Sequence, residues 1–376
     1  MPSRDILAEV VMASRPYRIA INVLVIVVTI VVTLVVAEIA FRIIKPQTDF
    51  AVTVNTWDKV RGTRHIEGAK GFVITHLYEI DLIINSKGLR DREFPYEKPA
   101  NTKRILCLGG SFTCGYGVHA EETYPKVLEH LLNSDADTTV VWEVLNGGIG
   151  STGTAHQLTF FSTEAYKYDP DYVLLCFSQQ TDFWDNINSR LYTIEDGKLV
   201  KHDAPLTKSR RIQQVVKWVP GYNTLFAKSH LLNFVKRRIT RYHYRDLANR
   251  IILPQGASSI EAAEEELTEA LLTELDVKCA ERGCELVMTA IPLSVEWIWY
   301  PETVKFFEHA ASLNIPIVDL RPTMREASEK GQDIDYRVDK HWTPYGHRLA
   351  AQEIYEFFRR LGGGASEEVE YTHQDT

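Results

Sequence analysis

The sequence has no cysteine framework. Its five cysteines, Cys107, Cys114, Cys176, Cys279 and Cys284, are an odd number in a chain of 376 residues. A small fold stapled by disulfides is therefore excluded. Cys107 and Cys176 lie inside apolar runs, where a cysteine acts as a small buried hydrophobe. Cys279 and Cys284 are near enough in sequence to pair in an oxidising compartment, but spacing alone does not join them. No Cys and His residues stand at zinc-finger spacing, and no residue set calls for a metal or another cofactor. A basic surplus is also missing. The formal net charge is −8, which argues against a general nucleic-acid binder.

What remains is ordinary globular composition, 45% hydrophobic and 24% charged, and a sizeable packed core is expected. The length suits one large domain with appendages or two small ones. Long apolar runs are absent with one exception. Residues Ile19 to Ala37 carry no charge, and the run is about long enough to cross the ~30 Å hydrocarbon layer of a bilayer. A buried core helix is seldom uncharged on every face for this length. A cleaved signal would have a shorter apolar region and a small-residue cleavage site. The following Glu38-Ile39-Ala40-Phe41-Arg42 is a poor one. Residues 19–41 thus read as an uncleaved transmembrane signal anchor and a point of contact with the bilayer. Arg4, Arg15 and Arg18 precede it, against Arg42 and Lys45 after it. That balance favours residues 1–18 in the cytoplasm and the large domain outside.

Residues 42–102 read as a membrane-proximal extension with a few short strands, bounded by Lys98-Pro99-Ala100-Asn101. Then short apolar runs alternate with helical stretches. The runs are Arg104–Leu108, Val140–Leu145, Tyr172–Phe177, Glu285–Ala290 and Ile315–Leu320. The helical stretches are Thr123–Leu132, Thr154–Tyr166, Ser259–Glu281, Pro301–Leu313 and Pro344–Leu361. Runs rich in Val, Ile and Leu are what strands buried on both faces look like. The alternation predicts an α/β domain over 103–362, with a five-stranded parallel sheet between two helical layers. Sites in such sheets lie at the carboxyl ends of the strands.

Residues 187–255 interrupt the pattern. They hold fourteen Lys and Arg against four acids, a surplus of ten. Three readings stay open: a solvated helical cap, a surface for anionic lipid headgroups, and contact with an anionic polymer substrate. Residues 363–376 read as an acidic disordered tail.

Three strand ends and one late loop carry chemistry. The first strand ends in Gly109-Gly110-Ser111-Phe112-Thr113, where glycines let the chain turn and free a hydroxyl. A Walker-type loop would need a lysine here, and there is none. The second strand ends in Asn146-Gly147-Gly148-Ile149-Gly150-Ser151-Thr152-Gly153. Gly148, Gly150 and Gly153 match a dinucleotide fingerprint in spacing, but that motif follows the first strand and is answered by an acid ending the next. Asp169 and Asp171 precede the third strand instead. A loop aiming backbone N–H groups into the site is the better reading. The third strand ends in Ser178-Gln179-Gln180-Thr181-Asp182. The late loop is Asp339-Lys340-His341-Trp342-Thr343-Pro344, where Thr343 caps a helix with Pro344 at its first position. His341 is then held on a loop just before the last helix, with Asp339 beside it.

Together these blocks, from Arg104 to Leu361, resemble the SGNH (GDSL-type) hydrolase superfamily. The run Ile84-Asn85-Ser86-Lys87-Gly88-Leu89-Arg90-Asp91 and the single anchor are similar to bacterial membrane-anchored members, some associated with polysaccharide O-acetylation. The resemblance implies a flavodoxin-like α/β/α sandwich. It implies Ser111 as nucleophile, His341 as base and Asp339 as the residue orienting it. It implies oxyanion donors at the Ser111 amide, at Gly150 or Ser151, and at Thr181, with Asp182 and Asn146 supporting. Gly110 stands where the family often has Asp, Thr181 where it has Asn, and one residue rather than two separates Asp339 from His341.

The expected function is a serine esterase or acetyl transferase acting on an acylated envelope or exported glycan, or on a small ester. The resemblance also implies a membrane acyltransferase as partner. It places the chain in a bacterial inner membrane, with the site in the periplasm of a Gram-negative cell. The alternative is a catalytically weakened domain that binds glycan or assists assembly of a membrane complex.

Overall fold

Alternate side chains along the central strands point into two different cores. Ile105 and Cys107 enter one, Leu106 and Leu108 the other. Likewise Leu174 and Cys176 face away from Val173, Leu175 and Phe177. A strand with a core on each face has no polar positions to spare, hence the unbroken apolar runs. In the computed structural model these strands are β1 (Thr102–Gly109), β2 (Val141–Asn146), β3 (Tyr172–Phe177), β4 (Glu285–Ala290) and β5 (Ile317–Val318). They form one sheet in the order β2-β1-β3-β4-β5. Every pairing is parallel, with Leu106 opposite both Leu145 and Val173, and Leu174 opposite Val287.

The helices divide between the faces. On one lie α1 (Tyr124–Ser134) and α5 (Pro344–Gly362), which bury Leu128, Ala350, Ile354 and Phe358. On the other lie α2 (Thr154–Thr163), α3 (Ile260–Glu281) and α4 (Pro301–Ser312), which bury Leu158, Phe161, Leu271, Leu275 and Phe306. This is a three-layer α/β/α sandwich with a flavodoxin-like strand order. The order reverses between β1 and β3, so the crevice for a site opens at their carboxyl ends.

The structure describes residues 4–44, 50–52, 54–136, 139–206, 211, 229–235, 238, 259–294 and 297–362, with side chains from Tyr17 onward except at 50–52 and 362. The tail 363–376 and most of 207–258 lie outside them, as do the lipid and polymer readings of that basic stretch. Its first residues are described. They finish a helix, Asp182–Ser189, and form a hairpin, Tyr192–Glu195 with Lys198–Lys201. Within residues 54–98 stand two more antiparallel hairpins, Asn55–Asp58 with Gly62–His65 and Lys70–Ile74 with Glu79–Ile83. A helix unread in the sequence, Arg321–Glu329, buries Met324 and Ala327 beside α5. All five cysteines are buried and unlinked. Cys284 donates to the Cys279 carbonyl at 3.3 Å rather than bonding to its sulfur.

The chain divides into two compact units: Met1–Phe50 with Gly221–Asn249, and Ala51–Pro220 with Arg250–Thr376. The first holds a helix, Arg4–Ile44, whose Tyr17–Ile44 portion is long and apolar enough to cross a membrane. Near its end, Glu38 accepts hydrogen bonds from the Ser229 hydroxyl and from the amides of His230 and Leu231. Those amides open a helix described over 230–235, and a carboxylate there satisfies donors that the helix itself leaves free. The rings of Phe41 and Phe234 meet at 4.7 Å.

Candidate active site

The first strand delivers its serine on a forced turn. After Gly109 the chain enters one helical turn, Ser111–Cys114, closed by Gly115 in a left-handed conformation. The second-strand loop packs directly on this turn. A Cβ at Gly148 would fall 2.2 Å from the Cys114 nitrogen and 2.6 Å from the Thr113 carbonyl carbon. Both are backbone atoms and cannot step aside. Gly148→Ala is therefore expected to cost about 3 kcal/mol or more, read as a large fall in the thermal unfolding midpoint.

Two polar side chains from the run Ile84–Asp91 brace these turns. The guanidinium of Arg90, 1% exposed, donates to the carbonyls of Cys114, Gly115, Val118 and Asp81 at 2.6 to 2.9 Å. Asp91 accepts from the Asn146 amide at the end of β2, and pairs with the buried Lys126. Neither role was visible in the sequence beyond the resemblance of that run. The signal was two charges beside an apolar residue in a segment expected to be a membrane-proximal extension.

The base arrives from the other end of the chain. Trp342 is fully buried, and its indole N–H donates to the Pro292 carbonyl at 3.2 Å. Asp335 bridges to Trp342 along the backbone and accepts from the amide and hydroxyl of Ser294. The Gly346 amide donates to the Thr343 hydroxyl, so Thr343 caps α5 as its sequence suggests. Lys340 is left-handed at φ 68°. That bend folds Asp339 back, so one intervening residue suffices for its carboxylate to reach the ring two positions on.

The result is a continuous hydrogen-bonded chain. Ser111 Oγ lies 2.7 Å from His341 Nε2, and His341 Nδ1 lies 3.0 Å from Asp339 Oδ2. Burial raises the proton affinity of the Asp339 carboxyl, but its bond and attraction to His341 outweigh that, and it sits below its usual range. An ionised Asp339 can only accept, so His341 carries its proton on Nδ1 and leaves Nε2 to accept from the Ser111 hydroxyl. The ring is held between Phe112 at 5.0 Å and Tyr116 at 5.7 Å.

The other expected site residues are placed as follows. In the glycine loop, the amide of Gly148 donates to Asn146 Oδ1 and that of Ile149 to the Gly109 carbonyl. Asn146 thus shapes the loop from within. Ser151 is exposed and left-handed at φ 63°. Thr181 is exposed, and its hydroxyl is 3.2 Å from Asp182 Oδ1. Asp182 is fully buried at the start of its helix, where burial and the neighbouring Asp185 push its carboxyl well above the usual range. Its hydrogen bonds run to Thr181 and Ser178, not to Ser111 or His341. Among the described residues, no three His, Cys, Asp or Glu side chains gather as a metal site would require.

Residues 254–376 match the family model described as SGNH hydrolase-like domain, acetyltransferase AlgX. That stretch carries Asp339 and His341, which the structure joins to Ser111. Over residues 254–376 the chain is similar to the SGNH hydrolase-like family. No curated protein matches the chain in sequence.

Solved structures similar to it include a putative lipolytic protein of the G-D-S-L family from Desulfitobacterium hafniense. It has 12% identity and a TM-score of 0.36, with 68% of this chain and 98% of that one covered. Another is a catalytic mutant of Axe2, an acetylxylan esterase from Geobacillus stearothermophilus, with 14% identity, a TM-score of 0.39, and coverage of 69% and 94%. A two-domain esterase active on acetylated mannans has 15% identity, a TM-score of 0.41, and coverage of 73% and 53%. The α/β domain of this chain holds a serine, a histidine and an aspartate in the arrangement that ester hydrolases and acyltransferases use.

Proposed function

We propose that this α/β domain transfers or hydrolyses ester-linked acyl groups on a glycan outside the cytoplasm, tethered to a bacterial inner membrane by residues 19–41. The 2.7 Å contact between Ser111 Oγ and His341 Nε2 carries this reading. The acetyltransferase in the description of the family matched by residues 254–376 supports an acetyl group as the acyl group. The apolar helix Tyr17–Ile44 supports the tether, and a membrane acyltransferase would be its natural partner.

In the proposed reaction, His341 Nε2 takes the Ser111 proton as Oγ attacks the acyl carbon. The carbonyl electrons move onto oxygen. Their return expels the alcohol, which takes the proton from His341. Water or a sugar hydroxyl then attacks the acyl-serine by the same steps in reverse. The oxyanion is held by the Ser111 amide and by that of Gly150 or Ser151.

Thr181 supplies a test of the third donor. Its hydroxyl is directed at Asp182, and an absent oxyanion donor costs roughly a hundredfold to a thousandfold in turnover. Thr181→Asn is expected to raise hydrolysis of a chromogenic acetyl ester by about tenfold or more. An unchanged rate would show that the backbone amides suffice. The second reading, a glycan-binding domain that has lost catalysis, rests on this same Thr181 geometry. It requires no esterase activity in either form together with measurable binding of an acetylated oligosaccharide.

A further inference from the structure

The hydrogen-bonded chain does not stop at Asp339. Tyr78, at the tip of the hairpin Lys70–Ile74 and Glu79–Ile83, places its hydroxyl 2.6 Å from Asp339 Oδ2, the same oxygen that faces His341 Nδ1. The two residues are 261 positions apart in sequence.

The tip is a locked turn. The Thr75 amide donates to the Tyr78 carbonyl, and the Thr75 hydroxyl accepts from the amides of Leu77 and Tyr78. Beneath it, Ile80, Leu82 and Ile84 form a core of their own, and Tyr78 and Tyr116 both pack on it. The Tyr78 ring also lies 5.1 Å from that of Tyr336, whose hydroxyl donates elsewhere, to the Gly117 carbonyl. Tyr78 thus reaches Asp339 from a fixed support, as a group that orients another must.

We propose that Tyr78 is a positioning residue of the active site, a fourth member of the chain Ser111–His341–Asp339 that holds the carboxylate in place and shares its charge. This inference rests on the serine-nucleophile reading above. It makes the segment before the sheet part of the catalytic apparatus rather than a spacer.

The direction of the bond is settled by chemistry. Burial, followed by the bond to Asp339 and the charge of that carboxylate, pushes the Tyr78 hydroxyl far above its usual range, so it stays protonated and donates. Asp339 is faced by Tyr78 and His76 from the hairpin, and by Tyr336 and His341 from its own loop. His341 is faced by Ser111, Phe112 and Tyr116, with His347 buried and neutral behind it. Tyr78 and His341 both hydrogen-bond the Asp339 carboxylate.

Removing the Tyr78 hydroxyl withdraws a donor from the anionic side of the Asp339–His341 pair. The carboxylate then keeps more of its charge for the proton shared with His341, so activity is expected to set in at higher pH. Asp339 is also less firmly oriented, which slows the chemical step without changing substrate contact.

The test compares full-length wild type, Tyr78→Phe, Tyr336→Phe and Ser111→Ala in detergent, assayed with a chromogenic acetyl ester across pH. Tyr78→Phe keeps the ring and its packing. It is expected to move the acidic limb of the kcat/KM profile upward by about half a pH unit or more. It is expected to lower kcat about three- to tenfold, with KM within about twofold of wild type. Tyr336→Phe should leave the limb where it is. A Tyr78→Phe profile superimposed on wild type, with Ser111→Ala inactive, overturns the proposal and spares the serine reading. So does a fall in kcat with an unmoved limb, which packing alone would give, or an equal shift in Tyr336→Phe. Full turnover by Ser111→Ala removes the serine reading, and this proposal with it.

Discussion

Ser111→Ala lowers turnover of an acetyl ester by about four to six orders of magnitude, leaving only what binding and oxyanion contacts provide. The size of the effect follows from the geometry. Ser111 Oγ is the one atom that Nε2 of His341 accepts from, at 2.7 Å, and Nδ1 is committed to Asp339. Without the hydroxyl, His341 has no nucleophile to activate except a water that nothing in the turn positions. His341→Ala should cost a comparable factor. The two together should cost little more than either alone, since residues acting as a unit are not additive. Steady-state rates of the three variants check this. A double variant that falls by the product of the single effects would mean that the two side chains act independently.

Arg90→Met is expected to destabilise the α/β domain by about 3–5 kcal/mol. Arg90 is a buried cation that has no carboxylate ion-pair partner among the described residues, and four main-chain carbonyls accept from it instead. Three of those carbonyls belong to Cys114, Gly115 and Val118, just beyond Ser111. Methionine fills the volume of the stem but leaves every one of these acceptors without its donor. An orphaned buried carbonyl costs roughly 1–3 kcal/mol, and relief from burying the charge offsets part of the sum. Thermal unfolding should show a midpoint lower by about 8–15 °C. Esterase activity should fall further than the folded fraction does, because the turn carrying Ser111 loses its brace. A midpoint within about 2 °C of wild type would show that water can replace the guanidinium there.

The sandwich could be read from the sequence because strands with a core on each face announce themselves as apolar runs. Tyr172–Phe177 and Glu285–Ala290 appear in the structure with the bounds the sequence suggested. The helix Arg321–Glu329 escaped notice because it buries only Met324 and Ala327, too few for a helical periodicity. The helix Asp182–Ser189 was masked by its polar run Asp182, Asp185, Asn186 and Asn188, which reads as loop. Ser111, His341 and Asp339 were legible because each follows a strand end or precedes a capped helix, and such places have local signals. Tyr78 had none. Its bond to Asp339 depends on how a hairpin folds against a loop 261 residues away, and no pattern within either segment encodes that.

The central claim is that Ser111 is a nucleophile activated by His341. Covalent labelling by a fluorophosphonate probe tests it most directly, because the probe reacts with a serine only when its hydroxyl is activated and an oxyanion site receives the phosphonyl oxygen. The full-length wild type should label at Ser111 alone, as located by peptide mass spectrometry. Labelling should be lost in His341→Ala, whose serine is intact. Labelling at another residue, or undiminished labelling of Ser111 in His341→Ala, would contradict the account.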